Sequence, residues 1–226
     1  MKNINPRCMQ KTRPHCGKRS PTLLPWLASI TLLASAMGAA AGEADPLVTA
    51  NARYIAQTNC GTCHGVTGNS VYPKFPRLAG QDANYLVKQL KAFRAQSRAD
   101  PDAISYMWGA AAQLDDPTIE ALAAYYAAQR PEAHREGDPA LVVSGREVYQ
   151  TGVASQGVPA CRSCHGPDAH GQGDFPRLAG QHAQYIQKQL ASFQSNMRDV
   201  AVMHGVALNL RSREVQAVAA FLSQQP

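Results

Sequence analysis

Two five-residue runs bring together the side chains best suited to holding a metal or a reactive group. They are Cys60-Gly61-Thr62-Cys63-His64 and Cys161-Arg162-Ser163-Cys164-His165. In each, two thiols one helical turn apart are followed at once by an imidazole. That spacing suits covalent attachment of a haem: the thiols reach two vinyl groups on one edge, and the histidine projects under the iron as its proximal ligand. A redox or zinc C-x-x-C followed by histidine by accident is the competing reading. Zinc would need further Cys or His ligands at matching places, and none is present. Two copies 101 residues apart argue against accident. The expected cofactors are therefore two covalently bound haem c groups, attached at Cys60, Cys63, Cys161 and Cys164. His64 and His165 are the expected proximal iron ligands.

The sixth ligand separates electron transfer from catalysis, because an iron with both axial sites filled has no open position for a substrate. Met107 lies seven residues before Leu114, and Met203 lies seven before Leu210. Their surroundings match as well, Met107-Trp108-Gly109-Ala110-Ala111 against Met203-His204-Gly205-Val206-Ala207. Met107 and Met203 are the expected distal ligands, and thioether ligation favours reduced iron and positive potentials. Met197 has no counterpart and reads as a core or surface residue. His134, His170, His182 and His204 compete on paper as ligands but read as solvated or structural. A proximal histidine usually donates its second ring N–H to a backbone carbonyl. Pro76 and Pro176, rigid and without a competing donor, are the candidates for that carbonyl. Leu78 and Leu178 would then pack on the haem faces. Arg77 and Arg177 face haem propionates or solvent.

These residues sit in one unit written twice. Phe75-Pro76-Arg77-Leu78-Ala79-Gly80-Gln81 recurs as Phe175-Pro176-Arg177-Leu178-Ala179-Gly180-Gln181, and each run continues into a Tyr-x-x-Lys-Gln-Leu segment starting at Tyr85 or Tyr185. Repetition at this period implies two tandem domains of one fold. They are placed at 45–130 and 139–226, joined by a polar, Pro- and Gly-broken linker at 131–138. Each unit reads as helical without convincing strands, so the fold class is all-α. The first unit has expected helices at Pro46–Gln57, Ala83–Gln96 and Pro117–Ala128, the last capped by Asp115 or Asp116. The second has Pro139–Thr151, Ala183–Ser195 and Arg213–Ser223. Gly- and Pro-rich loops are expected between them. Residues 154–160 are an insertion that the first unit lacks.

The net charge of +6 belongs to the start of the chain. Residues 1–41 hold six of the 22 basic side chains and no acidic one, leaving 16 of each sign in the remainder. The basic balance therefore implies no nucleic-acid partner. A basic region to Arg19, an apolar stretch from Leu23 and a small-residue run ending at Ala41 read as a signal peptide over 1–41. The competing reading is an uncleaved membrane anchor, against which Pro25 counts. Cys8 and Cys16 fall in this segment, so no cysteine after it is left for a disulfide, a nucleophile or a thiolate ligand.

Together the motif pair, the doubled FPRLAGQ run and the two Met-x-Gly segments resemble the diheme cytochrome c4 family, which is built of tandem class I cytochrome c domains. The resemblance spans about Asp45 to Gln225. It implies axial pairs His64/Met107 and His165/Met203, and two domains related by a pseudo-twofold axis with haem propionate edges close together. It implies an electron carrier of the bacterial periplasm, not an enzyme, loosely associated with the inner membrane. Its redox partners would be such complexes as a quinol-oxidising complex and a terminal oxidase. The family fold crosses the first and last helices of each domain, pairing Tyr54 with Tyr125 and Tyr149 with Phe221. Gly145 suits that crossing, with Ala50 as its mate. The runner-up is a haem subunit of a flavocytochrome-like dehydrogenase complex. A diheme enzyme such as a peroxidase or thiosulfate dehydrogenase is a third reading, disfavoured because both units offer a methionine in register.

Overall fold

Asp-Pro pairs start both repeats. In the computed structural model, which describes residues 45–132 and 138–226, helix α1 (Pro46–Ile55) is capped by Asp45, whose Oδ1 accepts from Leu47 N at 2.8 Å. The helix runs on without a break through a π-helical turn, Ala56–Cys60, into α2 (Gly61–His64). The widened turn thus carries Cys60, and α2 carries Cys63 and His64. Next come α3 (Ala83–Arg94), a second π turn over Ala103–Met107 that leads into α4 (Trp108–Ala111), and α5 (Asp116–Ala127). Asp115 caps α5, accepting from Thr118 N at 2.9 Å. The expected signal peptide at 1–41, and residues 133–137 of the linker with His134, lie outside the described residues.

The second half repeats this order as α6 (Pro139–Thr151), α7 (Arg162–His165), α8 (Ala183–Gln194), α9 (Ala201–Ala207) and α10 (Ser212–Ser223). Its α6 begins like α1, with Asp138 Oδ1 accepting from Ala140 N at 2.8 Å. It ends differently. Gly152 takes a φ of +72°, and the 154–160 insertion forms a short turn closed by an antiparallel bridge between Val153 and Val158. No strand is present among the described residues. The expected helices are all found, with no end shifted by more than two residues. The expectation of loops elsewhere fails at the methionines, since Met107 and Met203 both sit in short helical segments. Gly109 and Gly205 inside those segments hide them from a propensity reading.

The first and last helices of each half cross, α1 on α5 and α6 on α10. Counting from the caps, Ala52 and Gly145 are equivalent, as are Ala56 and Tyr149. This corrects two expected pairings. The mate of Gly145 is Ala52, not Ala50. Tyr54 corresponds to Glu147 on the outer face and is 65% exposed, so it does not meet Tyr125. Tyr149 is fully buried and packs on Phe221, with ring centroids 5.4 Å apart. The halves reach one end by different means. Tyr149 Oη on α6 donates to Gly166 O at 2.5 Å, whereas in the first half Tyr125 on α5 closes the matching loop by donating to Val66 O at 2.7 Å.

Candidate haem-binding site

Each C-x-x-C-H run ends a helix at a glycine with positive φ, Gly65 (+76°) or Gly166 (+82°). A Cβ at Gly65 would stand 2.9 Å from Asn69 O, so the chain turns back over the histidine only with glycine there. The returning loop carries the FPRLAGQ run. His64 Nδ1 lies 2.8 Å from Pro76 O, and His165 Nδ1 lies 3.0 Å from Pro176 O. A carbonyl only accepts, so Nδ1 holds the proton in both rings and Nε2 keeps its lone pair. Burial lowers the pKa of both histidines, outweighing the opposite effect of these carbonyls. Each imidazole is thus neutral, oriented and ready to bind a metal ion through Nε2. Phe75 and Phe175 pack edge-on against the two rings, at 6.2 and 5.9 Å between centroids.

The four cysteines of the two motifs form no disulfide and are partly buried. Burial raises the pKa of Cys60, and it pushes that of Cys161 up to about 11. A continuous cavity of about 530 Å³ is lined by Cys60, His64 and Met107 from the first half and by Cys161, His165 and Met203 from the second. Pro76, Leu78, Pro176, Leu178 and Cys164 also line it, while Cys63 does not. The remaining wall is largely apolar, with Leu86, Leu90 and Phe93 answered by Ile186, Leu190 and Phe193. Met197 is exposed and away from the cavity. The other histidines have separate tasks. His170 Nε2 lies 3.0 Å from Pro226 O, His182 Nε2 lies 3.0 Å from Ser70 O across the halves, and His204 Nδ1 lies 2.7 Å from Phe193 O. Among the described residues, no three His, Cys, Asp or Glu side chains are grouped as a zinc site requires.

Where the halves meet, the cavity wall becomes polar. Arg98 and Arg198 are 8% and 6% exposed. Arg98 donates to Asp100 Oδ2 at 2.7 Å, to Gln89 Oε1 at 2.7 Å, to Gln189 Oε1 at 2.8 Å and to Tyr185 Oη at 3.3 Å. Arg198 donates to Gln189 Oε1 at 2.7 Å, to Gln89 Oε1 at 3.0 Å and to Tyr85 Oη at 2.7 Å. Burial alone would raise the Asp100 pKa, but the Arg98 guanidinium holds it below the usual value. Val200 stands where the second half would repeat Asp100. Two buried guanidiniums therefore share one carboxylate, and Arg198 Nε is buried without a hydrogen-bond partner. That excess of buried positive charge, at the edge of an apolar cavity walled by thiols, imidazoles and thioethers, fits a flat apolar macrocycle bearing carboxylates.

The arginines of the repeated run line the same cavity and donate to backbone carbonyls. Arg77 Nε donates to Ser70 O at 3.3 Å and its Nη1 to Gly180 O, while Arg177 Nη2 donates to Pro226 O at 2.6 Å. The sequence reading missed the Arg98, Arg198, Gln89 and Gln189 cluster. Its signal was present, because Tyr85, Gln89 and Arg98 each recur 100 residues later. A helical run does not reveal that its polar face meets its own repeat.

The family profile described as cytochrome c matches residues 49–128 and again 142–226. A cytochrome c-552 of Acidithiobacillus ferridurans is 42% identical over 197 residues, covering 86% of this chain and 84% of that one. A cytochrome c4 of Stutzerimonas stutzeri is 38% identical and covers 85% and 94% of the two chains. A thiosulfate dehydrogenase electron acceptor of Thiomonas intermedia is 36% identical and covers 74% and 79%. Among solved structures, reduced recombinant cytochrome c4 from Pseudomonas stutzeri superimposes with a TM-score of 0.71 at 35% identity, over 82% of this chain and all of that one. The thiosulfate dehydrogenase TsdBA of Marichromatium purpuratum gives 0.69 at 33% identity, over 79% of this chain and 40% of that one.

Proposed function

Given that this chain belongs to the cytochrome c family, in its two-haem cytochrome c4 branch, we propose that it shuttles electrons in the periplasm through two haems ligated by His64/Met107 and His165/Met203, delivering them toward a terminal oxidase. It is an electron carrier with two covalently bound haem c groups, not an enzyme. Bound haem supplies the one-electron chemistry, and the protein supplies attachment, orientation and electrostatics. Cys60, Cys63, Cys161 and Cys164 hold the macrocycles. Nδ1–H donation to Pro76 O and Pro176 O holds each imidazole in the tautomer that binds iron through Nε2. Leu78, Leu86, Phe93, Leu178, Ile186 and Phe193 exclude water, which limits reorganisation on electron transfer.

The observation that carries the ligation reading is the meeting of both methionines with both histidines and three of the attachment cysteines on one cavity wall. No helix of the described residues is long and apolar enough to cross a membrane, and the reading places the carrier in the periplasm by way of the 1–41 segment. The test replaces Met107 and Met203 by alanine singly in the holoprotein. Each change should remove about half of the weak red-edge charge-transfer band that a thioether bond to ferric iron produces. A band left intact in the double variant would refute the ligand set.

A second reading is favoured by the likeness to an electron acceptor of a thiosulfate dehydrogenase. In it the same two haems receive electrons from a dehydrogenase. Rapid mixing of the oxidised protein with such an enzyme and thiosulfate, against mixing of the reduced protein with oxidase-bearing membranes, separates the two.

A further inference from the structure

The repeated Pro-Arg peptides connect the halves in a crossed manner. Pro76 O faces His64 Nδ1 at 2.8 Å, and the nitrogen of that same peptide unit, Arg77 N, donates to Gln181 Oε1 of the other half at 2.9 Å. The second half mirrors this. Pro176 O faces His165 Nδ1 at 3.0 Å, and Arg177 N donates to Gln81 Oε1 at 2.8 Å. Each glutamine also donates its Nε2 to the opposite arginine carbonyl, at 2.9 Å in both cases. Each Oε1 further accepts from the following residue, Asp82 N at 3.0 Å or His182 N at 3.1 Å, which fixes the amide plane. Gln81 and Gln181 are 7% and 8% exposed. A hydrogen-bond chain that begins at one half's histidine therefore ends on the other half's glutamine.

A peptide that donates its N–H carries a more negative carbonyl oxygen, because linked hydrogen bonds polarise one another. Pro76 O then draws more strongly on the Nδ1 proton of His64, and the ring becomes a more electron-rich ligand. Electron-rich ligation favours oxidised iron. We propose that Gln81 and Gln181 are crossed positioning residues: Gln181, in the second half, tunes His64 and the potential of the first haem, while Gln81, in the first half, tunes His165 and the potential of the second. No proton leaves its atom in this scheme. It rests on the reading of His64 and His165 as iron ligands. Glutamines that merely fastened the halves together would have no crossed effect.

The experiment substitutes Gln181→Met and Gln81→Met in the holoprotein, which keeps side-chain length and removes both hydrogen bonds to the other half together with the one from the following residue. Spectroelectrochemistry gives the potentials, and proton NMR of the shifted haem methyls assigns each to its half. Gln181→Met should raise the reduced-to-oxidised ratio of the first haem about threefold at a fixed potential, from loss of one polarising bond. That ratio corresponds to about 28 mV at 59 mV per tenfold for one electron. Gln81→Met should do the same to the second haem, and in each variant the haem of the substituted half should move less. A larger shift in the substituted half, equal shifts, or no shift would overturn the proposal. Gln181→Glu and Gln81→Glu keep the acceptor oxygen should the methionine variants not fold. They should lower the potential of the opposite haem more than that of their own, and equal lowering or a rise would overturn it. If the unaltered protein lacks the shifted ring protons of an iron-bound histidine, the ligand reading falls together with this one. If those protons are present and the crossed pattern is not, this proposal alone falls.

Discussion

Substituting Gly145 by alanine tests the helix crossing that supports the second haem cavity. A Cβ built at Gly145 stands 1.9 Å from Ala217 O, 2.4 Å from Ala217 C and 2.8 Å from Phe221 Cβ. Two of these are backbone atoms of α10, which cannot swing aside as a side chain would. Bringing the nearest contact to 3.0 Å requires α6 and α10 to part by about 1 Å. Overpacking of this kind costs about 1–3 kcal/mol, and a backbone obstacle places it near the upper end. Alanine recovers about 1 kcal/mol of helix propensity over glycine. The net expectation is a loss of about 2 kcal/mol, confined to the second half. Val218 and Leu222 of α10 line the haem cavity, so the second haem's spectrum should change while the first stays constant. Denaturant unfolding followed by circular dichroism and by haem absorption measures both effects. Ala52→Gly at the equivalent position of the first half is the companion variant. It should cost about 1 kcal/mol through propensity, with a small further loss from the missing methyl. A Gly145→Ala protein as stable as its parent would refute the crossing geometry.

Gly205→Ala should behave oppositely, because a Cβ there has nothing within 4 Å inside α9. A gain of up to about 1 kcal/mol in unfolding free energy is expected. Tyr149→Phe should cost more than Tyr125→Phe, about 1 kcal/mol, because Tyr149 is buried and no water replaces its bond to Gly166 O, which keeps only the longer bond from Ala169 N, whereas water reaches the Tyr125 site. Acid should destabilise the protein. Arg98 holds the Asp100 pKa below its usual 3.8, so as pH falls through about 3.8 the unfolded chain takes up a proton that the folded one refuses, and stability declines until the folded carboxylate is protonated too. Denaturant midpoints measured from about pH 8 downward would show this, and a midpoint that rose on acidification would contradict it.

The sequence alone determined the chemistry and the plan. Cysteine and histidine spacing within one helical turn is a local matter, so Cys60–His64 and Cys161–His165 could be read without a fold. Repetition at a period of 100 residues implied two copies of one unit, and matched flanks singled out Met107 and Met203 from six methionines. Asp-Pro caps marked the helix starts because capping is a contact between neighbours in the chain. What depends on residues far apart in the chain was decided only in three dimensions. Periodicity gave each helix a polar face but not the identity of its partner, so Gln81 reaching Arg177 and Arg98 reaching Gln189 stayed invisible. The outward turn of Tyr54 followed from the phase of α1 against α5, which a one-residue alignment choice alters by about 100°. The methionine segments, short and interrupted by glycine, become helical where packing outweighs weak propensity. The two Cys-x-x-Cys-His motifs read as haem attachment sites are thus local, while the hydrogen bonds that join the two halves beside His64 and His165 exist only because two repeats fold against each other.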